Sequence, residues 1–545
     1  ERCGNLRRGS HGSLTAPALP PREARGSPPG FEGMEGSPTG EPSRAQREGA
    51  CPALRAWKVR RRRTHPHCPR AKREGARPAL RAWKVRRRRT HPPGESERST
   101  MSRYTRDDIR KIVEEEDVEF IRLQFSDIFG SPKNLAITAS QLEKALDNGC
   151  MFDASAIEGF RDTFSALYLH PDLDTFDIYP WRPQTGKVAR LNCDIYTAEG
   201  QPFDGDSRQI LAKVLKDAAQ MGLYFEIFPE LEFFLFHTDD NGHPTTETHE
   251  DAGYFDVAPL DLAENVRRDI ILTLEEMNFE VESSHHEISP AQHEIDFAAD
   301  SADRVADKIL TFKMAVKTIA KKHGLYATFL PKPTEGVNGS GMHMNFYCRD
   351  AFGKNLFYDA DDEEGLSQMA YHFIAGLLEH SRALTLITNP IVNSYKRLVP
   401  GFDAPTGIGW SDNLANRSLV INIPCQRENE TRVEYRSPDG VCNPYLAFAA
   451  CIAAGLDGIR RELVPPAVIH ERIDEIPASG GNSGVKGKLP ETLGEAMEAY
   501  LADPLMKEVL GEFIYNQFLF EKQQEWKSFR SVVTNWEIEN YLGKY

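Results

Sequence analysis

The chain has 545 residues, 40% hydrophobic and 27% charged, with a formal net charge of −15, which allows two to four domains and a large core. The charge is uneven: residues 1–100 carry 24 Lys and Arg against nine acids, while 101–545 carry 42 basic and 72 acidic residues. A body that acidic is a poor general partner for nucleic acid or an anionic membrane, and no apolar run reaches the roughly 18 residues a spanning helix needs.

Residues 1–100 are rich in Pro, Gly, Ser and Arg and lack hydrophobic periodicity, which predicts disorder. Within them Arg47 to Pro66 recurs almost unchanged as Arg73 to Pro92, at an offset of 26 residues. Arginine runs beside Trp suit nucleic-acid contact or a localisation signal. The preferred reading is an extension foreign to the native protein, because the chain opens on Glu1 and changes character at Met101. Of nine cysteines, six lie beyond residue 100 and none forms a CxxC pair. With no apolar signal segment, reduced thiols in a cytoplasmic protein are expected.

Arg106 to about Glu116 has a helical pattern, and Asp117 to Ile128 alternates as a strand with Ile121, Leu123 and Phe125 on one face. Ser131 to Ile137 reads as a second strand, and Ser140 to Asn148 as a helix capped by Ser140. This mixture predicts a small α+β domain over 101–205 and leaves 206–545 as a larger one. In the larger part, helices are expected at Arg208–Met221, Leu262–Met277, Ala302–His323, Leu366–Leu386 and Asn443–Leu456. Strands are expected at Tyr224–Phe236, Tyr326–Pro331 and His343–Cys348.

Between these elements stand four unusual stretches. Glu282 to Phe297 packs His285, His286, Glu287, His293, Glu294 and Asp296 around Ser289-Pro290. Two short strands joined by a turn would aim Glu287 and Glu294 at one point. Alone, the stretch also reads as a solvated surface turn. Glu230 and Glu232 are i, i+2 and share a strand face; they need a cation there unless that face is solvated. Asn338-Gly339-Ser340-Gly341 allows close backbone approach to a ligand ahead of His343, or is a plain turn. Arg432, Glu434 and Arg436 alternate on one strand face, as an ion-pair ladder or as a charged wall. Carboxylates that hold hard divalent metals, beside arginines that clamp a phosphoryl group, are what phosphoryl transfer needs.

Together these stretches, with Met151 to Phe160 and Asn393 to Pro405, resemble the type I glutamine synthetases of bacteria and archaea over nearly all of 101–545. The resemblance implies an α+β chain with a small β-grasp domain and a larger catalytic domain. It implies a homododecamer of two hexameric rings, with each active site shared between neighbouring subunits. It implies Mg²⁺ or Mn²⁺ at two or more sites per subunit, one held by Glu232, Glu287 and Glu294 and another by Glu230, His343 and Glu434. Glutamate would bind Asn338, Gly339, His343, Arg397 and Arg436, with Glu232 close by. ATP would lie near Glu282, His285 and Arg432. Asp153 would take a proton from ammonium, Arg417 would stabilise the moving phosphoryl group, and a loop bearing Asp403 would close over the intermediate. His286, His293 and Asp296 are expected to support the ligands.

The chain departs from the family pattern at Ala156, at Ala166, at Asp403 where Glu is usual, at Asn422 where Arg is usual, and by two extra residues between Trp410 and Arg417. Fewer anions around the ammonium pocket would leave room for an alkylamine. A γ-glutamyl-amine ligase acting on a polyamine or monoamine is therefore the alternative activity, and a weakly catalytic structural oligomer a third reading. Val468 to Asp474 lacks the tyrosine that adenylylated members carry. That predicts no adenylylation and resembles the feedback-inhibited subgroup, which leaves room for a nitrogen-regulatory protein partner.

Overall fold

The computed structural model describes residues 103–160, 166–470, 473 and 484–545. The basic repeats, Ser165 and part of Val468 to Asp474 lie outside the described residues.

The first part comprises α1 (Arg106–Glu115), β1 (Val118–Ser126), β2 (Pro132–Thr138), α2 (Leu142–Asn148), β3 (Cys150–Phe152), β4 (Leu167–Pro171), β5 (Asp177–Ile178) and β6 (Lys187–Tyr196). Thr105 caps α1 and exchanges hydrogen bonds with Asp108, a capping box that fixes its start. Ser140 does not cap α2. It lies in a 3₁₀ turn, and its hydroxyl bonds Thr138 instead. The strands form one sheet in the order β2-β1-β6-β4-β3, with β5 on β6, and β1 and β6 run parallel. Ile121 and Leu123 are fully buried as their alternation predicts, while Phe125 is half-buried.

The larger part continues with α3 (Ser207–Gln220), β7 (Tyr224–His237), α4 (Glu264–Glu276), β8 (Val281–His286), β9 (Gln292–Phe297), β10 (Asp300–Ser301), α5 (Ala302–Lys322), β11 (Leu325–Thr328) and β12 (Met342–Arg349). After these come α6 (Gln368–Thr388), α7 (Ser394–Arg397), β13 (Gly407–Ser411), β14 (Leu419–Asn422), β15 (Val433–Tyr435), α8 (Pro444–Arg460), β16 (Gly487–Lys488), α9 (Leu493–Ala502), α10 (Pro504–Phe529) and α11 (Asn535–Tyr541). Ten strands make the second sheet among the described residues. The order is β16-β13-β14-β15-β12-β7-β9-β8, with β10 and β11 also on β7. No helix of the described residues is long and apolar enough to cross a membrane.

The helices cover one face of this sheet because each carries an apolar stripe. Val305, Ile309, Phe312 and Val316 of α5 are fully buried, as are Phe373, Leu377 and Leu384 of α6. The Ala-rich helix α8 is buried almost throughout and packs against α6 at Gly376 and Gly458. The two parts are riveted at Arg208. It bonds Asp172 and Asp194 of the first part and Asp307 of α5, at 2.5 to 3.2 Å.

Candidate active site

Strand β7 alternates strictly from Tyr224 to Phe233. Phe225, Ile227, Pro229, Leu231 and Phe233 point into the helices, and Glu226, Phe228, Glu230 and Glu232 point the other way. That other face, at Glu230 and Glu232, is the floor of a cleft of about 280 Å³. Register then puts acid beside acid, with Glu294 of β9 opposite Glu232 and Asp296 opposite Glu230, and sets His343 of β12 opposite Glu230 from the other side. On the far side β15 adds Glu434, opposite Asn345. Like charges placed directly opposite on neighbouring strands repel, so this wall favours cations, or protons, among the carboxylates.

Two groupings emerge. Candidate ligand atoms of Glu230, His343 and Glu434 lie within 4.8 Å of one another, and so do those of His285, Glu287 and Glu294. In the first, His343 Nδ1 is 3.0 Å from Glu230 and 3.2 Å from Glu434. In the second, His285 Nε2 is 2.7 Å from Glu287 Oε1. Glu232 stands between the two: Gln292 Nε2 and the Gly341 N–H donate to its Oε2, and its Oε1 is 3.8 Å from His343 Nε2. Burial, joined by repulsion from Asp296, Glu230, Glu232 and Glu287, holds the Glu294 carboxyl well above its ordinary pKa. Burial and the Glu287 charge raise Glu232, and burial pushes Asp296 up to about 6. At the other end burial is overcome by the Arg436 guanidinium, then by His343, which bring Glu434 down to about 2.

The cationic wall is built by buried arginines. Arg436 donates from Nη1 to Glu434 Oε1 at 2.6 Å. Arg397 donates from Nη1 to the Ser437 carbonyl and from Nη2 to the Arg436 carbonyl, which uses two of its five donors. Gly339 and Gly341 admit this packing. A Cβ on Gly339 would lie 2.2 Å from the Pro331 carbonyl, and one on Gly341 2.5 Å from Arg397 Nη2. Three buried polar atoms of the lining, Gln292 Oε1, Asn422 Nδ2 and Arg436 Nε, have no hydrogen-bond partner. Such atoms call for a bound polar group.

Of the residues the sequence singled out, Glu230, Glu232, His285, Glu287, Glu294, Asn338, Gly339, His343, Arg397, Asp403, Arg417, Arg432, Glu434 and Arg436 all line this one cleft. Two do not. Glu282 is exposed at the β8 bulge between Val281 and Ser283, where its charge is felt by Tyr347. Asp153 is exposed beyond the end of β3 and accepts from the Ser155 N–H at 2.9 Å. Tyr254 of the lining, and two neighbours of lining residues, escaped the sequence reading. Tyr254 and Phe255 lie beside His285 from the long β7–α4 loop, where no periodicity marks them. Asn345 bonds both Glu230 and Arg432, and its place two residues after His343 on the same strand was its signal.

A six-stranded sheet followed by a ten-stranded sheet with a carboxylate-floored, arginine-walled cleft defines an α+β protein with one strongly charged site. Comparison with known proteins is specific. The glutamine synthetase catalytic domain matches residues 204–541, and the glutamine synthetase β-grasp domain matches 117–198. A glutamine synthetase of Clostridium saccharobutylicum is 51% identical over 447 residues, covering 82% of this chain and 100% of its own. One from Staphylococcus aureus strain MW2 is 50% identical over 444 residues, covering 81% and 99%. Among solved structures, Plasmodium falciparum glutamine synthetase has a TM-score of 0.72 at 25% identity, covering 81% and 99%. A GmaS complex with ADP has a TM-score of 0.72 at 31% identity, covering 80% and 99%.

The chain belongs to the glutamine synthetase family, in its bacterial type I class. Its activity is that of a glutamate–ammonia ligase, forming glutamine with ATP, and ATP and a divalent metal are general requirements of this family.

Proposed function

We propose that the cleft runs this ligation through γ-glutamyl phosphate with two divalent ions. The opposed acids Glu230 and Glu232 of β7, Glu294 and Asp296 of β9 and Glu434 of β15, all buried or half-buried, with His343 of β12 among them, carry the reading. Glu230, His343 and Glu434 would hold one ion, and Glu232, Glu287 and Glu294 the other, with His285 orienting Glu287. The donors are hard oxygens plus imidazole, and no cysteine lines the cleft among the described residues, which fits Mg²⁺ or Mn²⁺. Once bound, such ions supply positive charge where the ATP phosphates meet the substrate carboxylate.

Arg397, Arg436, Asn338 and Gly339 bind glutamate and present its γ-carboxylate; Arg432 and His285 border the ATP phosphates, with Glu282 farther out. The γ-carboxylate oxygen attacks the γ-phosphorus and ADP leaves, while Arg417 stabilises charge on the transferring group. Ammonia then attacks the acyl carbon, phosphate leaves, and the nitrogen's proton passes to Asp153. The loop Phe402-Asp403-Ala404 shields the acyl phosphate from water. Asp153 is outside its own subunit's cleft, which supports its donation to a neighbouring site in a homododecamer. A cytoplasmic enzyme that is not adenylylated, and that answers to feedback inhibition and a nitrogen-regulatory partner, fits this reading.

The test is phosphate release with ATP and glutamate, comparing ammonium, methylamine and putrescine. Ammonium should give the highest kcat/KM. A strong preference for either larger amine would overturn the acceptor assignment.

A further inference from the structure

Behind the cleft floor lies a second group of metal-ligand residue types, Glu250, His286 and His293, all buried and with ligand atoms within 4.8 Å of one another. Their hydrogen bonds decide what they do. Arg267 Nη1 lies 3.0 Å from His293 Nδ1. A guanidinium can only donate, so Nδ1 accepts and Nε2 carries the ring proton. Nε2 therefore has no lone pair to offer a metal. It is buried without a hydrogen-bond partner, 3.7 Å from Glu250 Oε1. On the other ring, His286 Nδ1 donates to the Glu287 carbonyl at 2.6 Å and Nε2 meets Glu250 Oε1 at 2.7 Å.

Glu250 also accepts from two backbone N–H groups, Ala291 at Oε1 (3.1 Å) and Leu262 at Oε2 (2.7 Å). Ala291 has φ +64°, a left-handed conformation that L side chains rarely adopt. It closes the β8–β9 turn, which opens at Glu287 and leads into β9, where Glu294 is the third residue. One carboxylate from the β7–α4 loop thus holds the strained residue of the turn directly. Through His286 it also holds the main chain of Glu287.

We propose that Glu250 is a positioning residue of the metal cage: by fixing the Glu287–Ala291 turn through Ala291 and His286, it sets the spacing of Glu287 and Glu294. The proposal rests on the reading of those two acids as ligands. Glu250→Gln tests it, since the amide keeps the volume and one acceptor oxygen but presents a donor where the second acceptor stood.

Manganese binding to the metal-free full chain, followed by the EPR signal of free Mn²⁺, should weaken about tenfold or more at one site per subunit in Glu250→Gln. The KM for metal should rise in step, with a smaller fall in kcat. Glu250→Asp, which restores the carboxylate, should recover part of the affinity. Glu287→Gln serves as the reference and should abolish binding at the same site. Unchanged binding in Glu250→Gln, with Glu287→Gln defective, would overturn the positioning role alone. Unchanged binding in Glu287→Gln would overturn the ligand assignment and the proposal with it. A third tight ion, lost only in Glu250→Gln, would also overturn it, because Glu250 would then be a ligand itself.

Discussion

Asp403 Oδ2 lies 3.4 Å from Arg417 Nη1, and Asn338 Nδ2 donates to the same oxygen at 3.2 Å. Three segments distant in sequence therefore meet over the cleft. Asp403 itself is exposed and held at φ +52°, so these side-chain contacts, with Lys332 Nζ 4.0 Å from the Phe402 ring centroid, tie the loop to the site. Asp403→Ala should lower glutamine formation on the order of ten- to a hundredfold. Phosphate release without matching amide should rise at the same time, measured by assaying both products in one reaction.

His343 is the single imidazole between Glu230 and Glu434. Removing it leaves half-buried Glu230 and buried Glu434 without the imidazole between them. His343→Gln should lower kcat/KM on the order of a hundredfold or more. Raised Mn²⁺ should restore part of it. Titrating activity against metal separates a lost ligand from a misfolded site, since only the first responds to added ion.

A site completed by a neighbour makes a quantitative prediction. Asp153→Ala and Glu287→Gln oligomers should each be nearly inactive. Equal mixing of unfolded chains and reassembly should restore about a quarter of the sites if each draws on two subunits. No recovery in the mixed oligomers would place both residues in one subunit's site.

Helices α6 and α8 touch at backbone. A Cβ on Gly376 would lie 2.1 Å from the Ala454 carbonyl and 2.9 Å from the Gly458 Cα. Neither neighbour is the end of a flexible side chain. Gly376→Ala should destabilise by about 1–3 kcal/mol or more through forced separation of the helices. Thermal unfolding checks this, and the cleft residues are left untouched.

His380 of α6 sits between Asp503, at 2.6 Å, and Asp457 of α8, at 3.0 Å. Burial disfavours its charged form, but hydrogen bonds to Asp503 and Asp457 outweigh that and raise its pKa above 6.5. A raised folded-state pKa means stability that is fully present below about pH 6.5 and is lost as pH rises through the folded value. The gap in Tm between the native chain and His380→Gln should therefore be wide at pH 6 and narrow by pH 9. An equal gap at both values would refute the charged pairing.

The amphipathic stripes, the paired acids of β7 and the hairpin around Ser289-Pro290 were legible in the sequence, because residue period alone decides which side chains share a face. Family motifs added the identity of the reaction and most residues of the cleft. Ser140 misled, because a serine ahead of an apolar pattern signals a cap whether or not its hydroxyl finds another oxygen nearby. Tyr254 and Glu250 gave no signal, since a loop has no period and its side chains find their partners only after the sheet has formed.

By itself, then, the sequence determined an acidic α+β chain with carboxylates paired on strand faces, open to a solvated reading as well as to a cation site. Tertiary structure decided which acids confront one another. The register of β12 against β7 sets His343 across from Glu230, and that of β9 sets Glu294 across from Glu232. It also set Glu282 and Asp153 outside the cleft and gave His285 to Glu287. A one-residue slip of any of these strands would turn the same acids to the opposite face. Strand pairing, which no local pattern encodes, is what converts a list of glutamates into a site.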